Sequence, residues 1–487
     1  MSINRNILSL AVPSILANIT VPLVGMVDIA VAGHLDASAA GLASAATLIG
    51  GVAMGSMLFD LLYWNFGFLR IGTGGLAAQA YGRGDMKECA YVFTRAIGIA
   101  LACALVLIAL QWAFLKAAFL VVDCTSEVRA LAEQYFFIRI WAAPATLSLM
   151  VFKGWFIGMQ DGVSPMITDL IVNVMNAFVS IVLALGITLG GIHCHGIGFA
   201  GIAAGTVVAQ YLGLLSAVLI MLVKYRRRVF PGFRMQSVLS VFRGRETRRF
   251  FSMNADLFLR SLGIIGIYIS FTMLSSHQGD LVLASASILM KIMMLFSYFT
   301  DGFAYAGEAL TGRYIGQGNR AGVRQTVKYV FIWSMGIAVM FMLLYAFAGT
   351  PVLRIMTSDS DVVSMCRDYL PWLLLMPLVG CAAFTWDGIY IGATASTAIR
   401  NAMLWALAAF FASYFAGAGL LEIPAVQSAI SASGLPLSSV MPGRTGVTRH
   451  AHIILHILLA AYFIHLAVRT VYLSAKYRRD VLSRVAD

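Results

Sequence analysis

The chain is 487 residues long, 60% hydrophobic and only 11% charged, with a mean hydropathy of +0.85. A soluble protein of that length could not cover its surface with so few charges, since ordinary globular chains carry roughly 25%; a cytosolic enzyme, a nucleic-acid binder and a disordered scaffold are excluded. The formal charge of +12 then reads as basic loops gathered on one side of a membrane rather than as a surface for a polyanion.

Twelve apolar runs reach the ~20 residues a spanning helix needs. They cover 11–33, 41–66, 91–120, 135–158, 166–189, 196–223, 255–276, 281–310, 329–348, 369–391, 403–421 and 453–473. None alternates polar and apolar residues as a barrel strand would. The first run is too long for a secretory signal and lacks a small-residue cleavage site. Span one holds Asp28 in VGMVDIAVAGHL, preceded by Pro13 and Pro22. An ionised side chain at membrane depth is costly and ordinarily faces a cavity or a partner. The prolines free backbone carbonyls and permit a hinge. Asp28 is therefore either a proton carrier beside a hinge or a structural acid bonded to a neighbouring helix. Asp60 in span two has no evident partner.

Span five carries Asn173, Asn176 and Ser180, at spacings of three and four that share one helical face. Facing Asp28, they would complete a polar pocket. Alternatively they only hydrogen-bond to a neighbouring helix, as Thr206 in span six could also do. In the second half, Asp256 and Arg260 are four apart, which predicts an intrahelical pair. Asp301 and Glu308 lie two turns apart on one face of span eight, with Lys291 near the same face, and Asp387 follows Trp386 in span ten. Several acids with few bases in the same spans point to a cation or proton path. Methionine (24) and aromatic side chains are plentiful; they suit lipophilic cations and equally suit lipid.

Orientation follows from the basic residues. Arg83 and Lys87 follow span two, nine Lys and Arg crowd 224–249, Arg313, Arg320 and Arg324 follow span eight, Arg400 follows span ten, and Lys476, Arg478 and Arg479 follow span twelve. The loops after spans one, five and seven are nearly free of them, while Arg444 and Arg449 after span eleven are a mild exception. Both termini are therefore expected on the cytoplasmic side. At an offset of 234, Gly82 and Gly84 meet Gly316 and Gly318, Ser126 meets Ser360, Tyr135 meets Tyr369, and Gly158 meets Gly392. Six spans per half is an even number, so the halves point the same way, related by an axis along the membrane normal. The expected organisation is an all-α polytopic membrane protein of twelve transmembrane helices in two parallel-repeat six-helix lobes around a central cleft. The first lobe covers 1–223, a basic linker 224–250, the second lobe 251–475 and a basic tail 476–487.

Enzymatic chemistry finds no support. His34 is isolated, His193 and His195 lie in a short loop, the six cysteines form no CxxC, and there is no Walker A, GxSxG or HExxH pattern.

The stretches PLVGMVDIAVAGHL, NFGFLRIGTGGLAAQAYGRGD, NVMNAFVS, LMKIMMLFSYFTDGFAYAGEAL and WDGIYIGAT resemble the multidrug and toxic compound extrusion (MATE) family, nearest its DinF-like branch, over about residues 7–417. The resemblance implies a bacterial inner-membrane antiporter that exports small lipophilic or cationic compounds in exchange for H⁺ or Na⁺. It implies no cofactor beyond that ion, no nucleic acid, contact with membrane lipids and a monomer. The family's span-one acid falls on Asp28, its span-five asparagine on Asn176 and its span-ten acid on Asp387. The span-five acid falls on Ser180, a departure that leaves one carboxylate where Na⁺ would favour more, so proton coupling is expected. Asp256, Asp301 and Glu308 sit where the branch has polar residues. Residues 421–449, rich in Ser, Pro and Gly, replace a usually short loop and read as a flexible insertion. The alternatives are a lipid-linked oligosaccharide flippase, whose cleft should be lined by Arg and Lys, and a membrane-embedded lipid-modifying enzyme, which would need a clustered metal site.

Overall fold

The computed structural model describes residues 2–35, 45–120, 122, 124–189, 192–229, 245–357, 359–432 and 447–485. Residues 230–244 of the expected linker and 433–446 of the expected insertion lie outside these.

Among the described residues, twelve helical spans are long and apolar enough to cross a membrane, matching the expected number. The first is α1 (Ile3–Gly33). The second is longer than its apolar run: α2 (Ala45–Trp64) breaks at Phe66 and continues as α3 (Gly67–Gly82). Span three is α4 (Met86–Ala118). Span four begins earlier than expected and consists of α5 (Ser126–Arg139) and α6 (Ala143–Gly158). Span five is α7 (Val163–Leu185) and span six α8 (Phe199–Val229). Between them the expected loop forms an antiparallel hairpin, β1 (Gly186–Leu189) with β2 (Ile192–His195), in which Gly186 pairs with His195. The second half runs α9 (Arg245–Ser276), α10 (Asp280–Gly316), α11 (Arg320–Met356), α12 (Ser360–Asp368), α13 (Leu370–Gly392) and α14 (Ser396–Glu422). The expected insertion opens as a helix, α15 (Pro424–Ala432), before the last span, α16 (Arg449–Asp480). The expected tail begins as the end of α16, Lys476–Asp480, and Val481, Leu482 and Val485 beyond it are buried.

The 234-residue repeat is visible in the backbone. Helices α4 and α11 both start after a side-chain cap: Asp85 accepts from Glu88 N at 2.9 Å and Asn319 accepts from Gly322 N at 2.8 Å. Thr125 and Asp359 cap α5 and α12 in the same way. Such caps satisfy amides that have no intrahelical acceptor. Gly84 and Gly318 are both left-handed (φ 74° and 67°), and so are Gln160 and Thr394 (φ 63° and 54°), where a non-glycine residue is uncommon. Tertiary packing repeats too. In the first half α3 packs on α6, α4 on α6, α7 on α8 and α1 on α7; the equivalents are α10 on α13, α11 on α13, α14 on α16 and α9 on α14. A Cβ at Gly154 would run into the carbonyl of Arg70, and one at Gly388 into that of Ala304. Both glycines exist for close helix approach, the main means of helix association where lipid competes for apolar surface.

The halves meet where α1 and α3 lie against α10, and α9 against α3. Their polar contacts lie from mid-depth towards the face where even-numbered spans end. Gln79 Nε2 donates to Gly392 O at 3.0 Å and to Thr394 Oγ1 at 3.2 Å, Gln160 Nε2 donates to Ala309 O at 2.7 Å, and Asn18 Nδ2 donates to Tyr298 O at 3.3 Å. The cleft is therefore closed towards the termini. Past Trp64, whose ring meets Tyr268 edge-on at 5.5 Å, Asp60 is exposed and lies opposite Tyr268 and Tyr298. The outer surface carries exposed Leu105, Trp112, Phe347, Trp405 and Val471, as a lipid-facing belt requires.

Candidate functional site

Two polar centres lie at membrane depth. In the first half Asp28 is 3% exposed. It sits on α1, which runs as one helix through Pro13 and Pro22. Its Oδ1 has no hydrogen-bond partner among the described residues. The groups that face it are Arg139 and Tyr135, both on α5. Arg139 Nη1 donates to Tyr135 Oη at 3.0 Å, and its guanidinium lies 4.8 Å from the Phe59 ring centroid.

The expected grouping of asparagines directly around Asp28 is not what forms. Asn173 donates to Thr20 Oγ1 on α1. Asn176 Nδ2 reaches Thr206 Oγ1 at 3.4 Å, and Ser180 Oγ donates to Asn176 Oδ1 at 3.1 Å and to Ile202 O at 3.3 Å. Tyr135 stands between this cluster and the acid, facing both Thr206 and Asp28. The spacing of three and four put Asn173, Asn176 and Ser180 on one flank of α7, but that flank is divided between α1 and α8.

The second centre is a cavity of about 270 Å³ within the second half, bordered by α3 of the first and lined by Arg70, Arg260, Asp301, Glu308, Asp387, His465 and Arg469 together with Trp64, Tyr268, Tyr462 and four methionines. Arg70 of α3 pairs with Glu308 of α10 at 3.2 Å and lies 4.3 Å from the Tyr305 ring centroid. This ion pair bridges the two halves. Asp387 Oδ2 receives both Arg260 Nη2 and Arg469 Nη2 at 2.5 Å. Asp301 faces Arg70, Asp387, Arg260 and Lys153. Lys153 is itself paired with Asp169 at 2.7 Å.

The structure departs from the sequence expectations at three further points. Asp256 and Arg260 do not pair. Asp256 takes Arg400 at 2.6 Å and the hydroxyls of Ser396 and Thr397 at 2.9 Å each, at the start of α14, while Arg260 turns to Asp387. Four residues of separation allow an intrahelical pair, but each side chain finds a better partner across a helix interface. Asp256 is consequently fully engaged away from the cavity. Lys291 is exposed and does not line the cavity. Lastly, charge at depth is not mainly acidic. Arg70, Arg139, Lys153 and Arg469 are also buried or half-buried at depth, and an intramembrane base is as costly as an acid. Arg70 also lay beyond the apolar run assigned to span two. No cluster of three metal-ligating side chains occurs among the described residues.

The chain matches the MatE family profile over residues 13–182 and 257–414. It is 31% identical to DNA damage-inducible protein F of Escherichia coli (strain K12) over 401 residues, 82% of this chain and 83% of that one. The chain belongs to the MATE family. It is also 22% identical to the probable multidrug resistance protein NorM of Thermotoga maritima, over 75% of each chain. A solved MOP superfamily transporter from Pyrococcus furiosus, described as having a binding pocket of reverse polarity that suggests a different function, has the same fold: TM-score 0.75 at 15% identity, covering 100% of this chain and 97% of that one. This MATE protein is a multi-pass transporter and not an enzyme.

Proposed function

We propose that this MATE protein is a secondary antiporter of the inner membrane that exports organic cations in exchange for protons, with Asp28 as the coupling acid. The observation that carries the reading is the setting of Asp28. It is buried, one carboxylate oxygen lacks a partner, and its neighbours are a guanidinium and a phenol. An unsatisfied carboxylate oxygen in such surroundings is expensive, so a proton arriving there changes the local balance with Arg139. Pro22, six residues earlier on α1, removes one helix hydrogen bond and supplies the hinge through which that change moves the helix. Asn176 and Thr206 act on Asp28 through Tyr135, with Ser180 bracing Asn176 structurally. With the basic face cytoplasmic, the cleft opens outward, which is where an exporter loads protons and releases substrate.

Efflux of a cationic dye from proteoliposomes tests this, with a pH gradient or a Na⁺ gradient imposed alone. The pH gradient should drive efflux, and Asp28→Asn should abolish it. Full pH-driven efflux in Asp28→Asn would refute the assignment, and a strict need for Na⁺ would move coupling to the second-half acids.

The three cavity arginines favour a second reading, a lipid-linked oligosaccharide flippase. The charge balance argues against it. Arg70, Arg260 and Arg469 are matched one for one by Asp301, Glu308 and Asp387. A pyrophosphate carries several negative charges and needs a surplus of bases. Flipping of a fluorescent pyrophosphoryl lipid by the reconstituted protein is expected to be absent.

A further inference from the structure

Around the central cavity the charges balance overall but not locally. At its second-half wall two guanidiniums, Arg260 and Arg469, share one carboxylate oxygen of Asp387, which leaves one positive charge in excess. At its other wall Asp301 and Glu308 both face Arg70 first, Asp301 facing Arg260 and Lys153 more weakly, so the negative charges gather there. Arg469 is 4% exposed and Asp387 6%, so water screens neither group well. The hydrogen-bonding capacity is also unfilled. Arg260 Nε, a donor, has no acceptor among the described residues, and Glu308 Oε1, an acceptor, has no donor. Buried groups of that kind are ordinarily satisfied. Between the two walls lie Met293, Met294 and the rings of Tyr268 and Tyr462, which suit an apolar body.

Resting on the transporter reading, we propose that Arg260 and Arg469 form a subsite for a singly charged anionic group, so that the preferred substrates are zwitterionic amphiphiles rather than plain cations. The substrate's acidic group lies on the guanidinium pair, a fork geometry suited to carboxylate or phosphate oxygens. Its cationic group lies towards Asp301 and Glu308, and its apolar body on the methionine and tyrosine wall. A plain cation fills only half of this arrangement and leaves the excess positive charge unanswered.

Two dansyl-labelled probes of the same chain length separate the cases, a carboxybetaine and its quaternary-ammonium analogue lacking the carboxylate. Binding to the full-length protein in neutral detergent is read by dansyl fluorescence. The carboxybetaine should bind about tenfold more tightly, the size expected for one charge-assisted contact. Arg469→Gln should remove this preference, leaving the two affinities within about twofold. Should that variant not fold, Arg260→Lys, which keeps the charge and loses the fork, should narrow the preference. Asp387→Asn, which removes the competing carboxylate, should widen it. Equal affinities in the unmodified protein, or a preference unaltered in these variants, would overturn the subsite. Dye efflux driven by pH reports the transporter reading separately. Efflux without a betaine preference removes the subsite alone, and a betaine preference without efflux of either probe removes the transporter reading alone.

Discussion

Asp28 and Ser180 show how far a single position decides chemistry. Asp28 is distinguished by what does not touch it, an oxygen with no partner beside a guanidinium. Ser180 is the reverse case. It is fully buried and both of its hydrogen bonds run to nearby helical groups. A neutral hydroxyl here does structural work at the point where the family resemblance expects an acid. Ser180→Ala should therefore cost little, at roughly 0.6 kcal/mol per interhelical hydrogen bond, and should leave pH-driven efflux near the unmodified level. Thermal unfolding in detergent and proteoliposome efflux check the two halves of that statement; loss of efflux in Ser180→Ala would place the serine in the coupling step itself.

At the scale of elements, the turn between α6 and α7 is held by Asp161. Its carboxylate takes Lys224 Nζ at 2.6 Å and Tyr225 Oη at 2.7 Å from the end of α8, as well as the amide and hydroxyl of Ser164. Burial alone would raise its pKa, but these donors outweigh burial and hold the carboxyl below the ordinary aspartate range. A lowered folded-state pKa means stability that is fully present above the unfolded value and is lost as pH falls through the folded one. Asp161→Asn should lower stability near neutral pH by about 1–3 kcal/mol. The difference should shrink on acidification below the usual aspartate range. Melting temperatures of the two proteins across pH measure this. The matching turn in the second half, at Thr394, uses other means: Gln79, Arg249 and Arg484 converge on its side chain or carbonyl. The repeat conserves the backbone of the turn and leaves its chemistry free.

That contrast extends to the whole molecule. Glu308 occupies the place of Gly74, Arg70 that of Ala304, Asp28 that of Leu262, and Lys153 that of Asp387. The scaffold is nearly two-fold, while the charges are not, so the two halves can take separate tasks. Rocking of the halves must break the seam at Gln79–Thr394, Gln160–Ala309 and Arg70–Glu308. The left-handed Gln160 and Thr394 lie at that seam. A short crosslink between Gln79→Cys and Thr394→Cys should stop efflux, and its reduction should restore it. Unimpaired efflux in the crosslinked protein would show that the termini-side seam need not open.

The sequence by itself determined the twelve spans, the 234-residue repeat and the family, and it singled out Asp28 as an acid at membrane depth, because each is encoded locally, in apolar run length, turn residues and one costly acid in a hydrocarbon-length segment. It also held the charged residues of the cavity in plain view, as Arg70 and Arg469 show. Only tertiary structure decided who meets whom. Asp256 chose Arg400 over Arg260, Asn173 and Asn176 turned to different helices, and two arginines from α9 and α16 converged on Asp387. Spacing along a helix fixes the face a side chain occupies, but the partner on that face comes from another segment, 30 to 153 residues away in these pairs, and is set by how the helices pack.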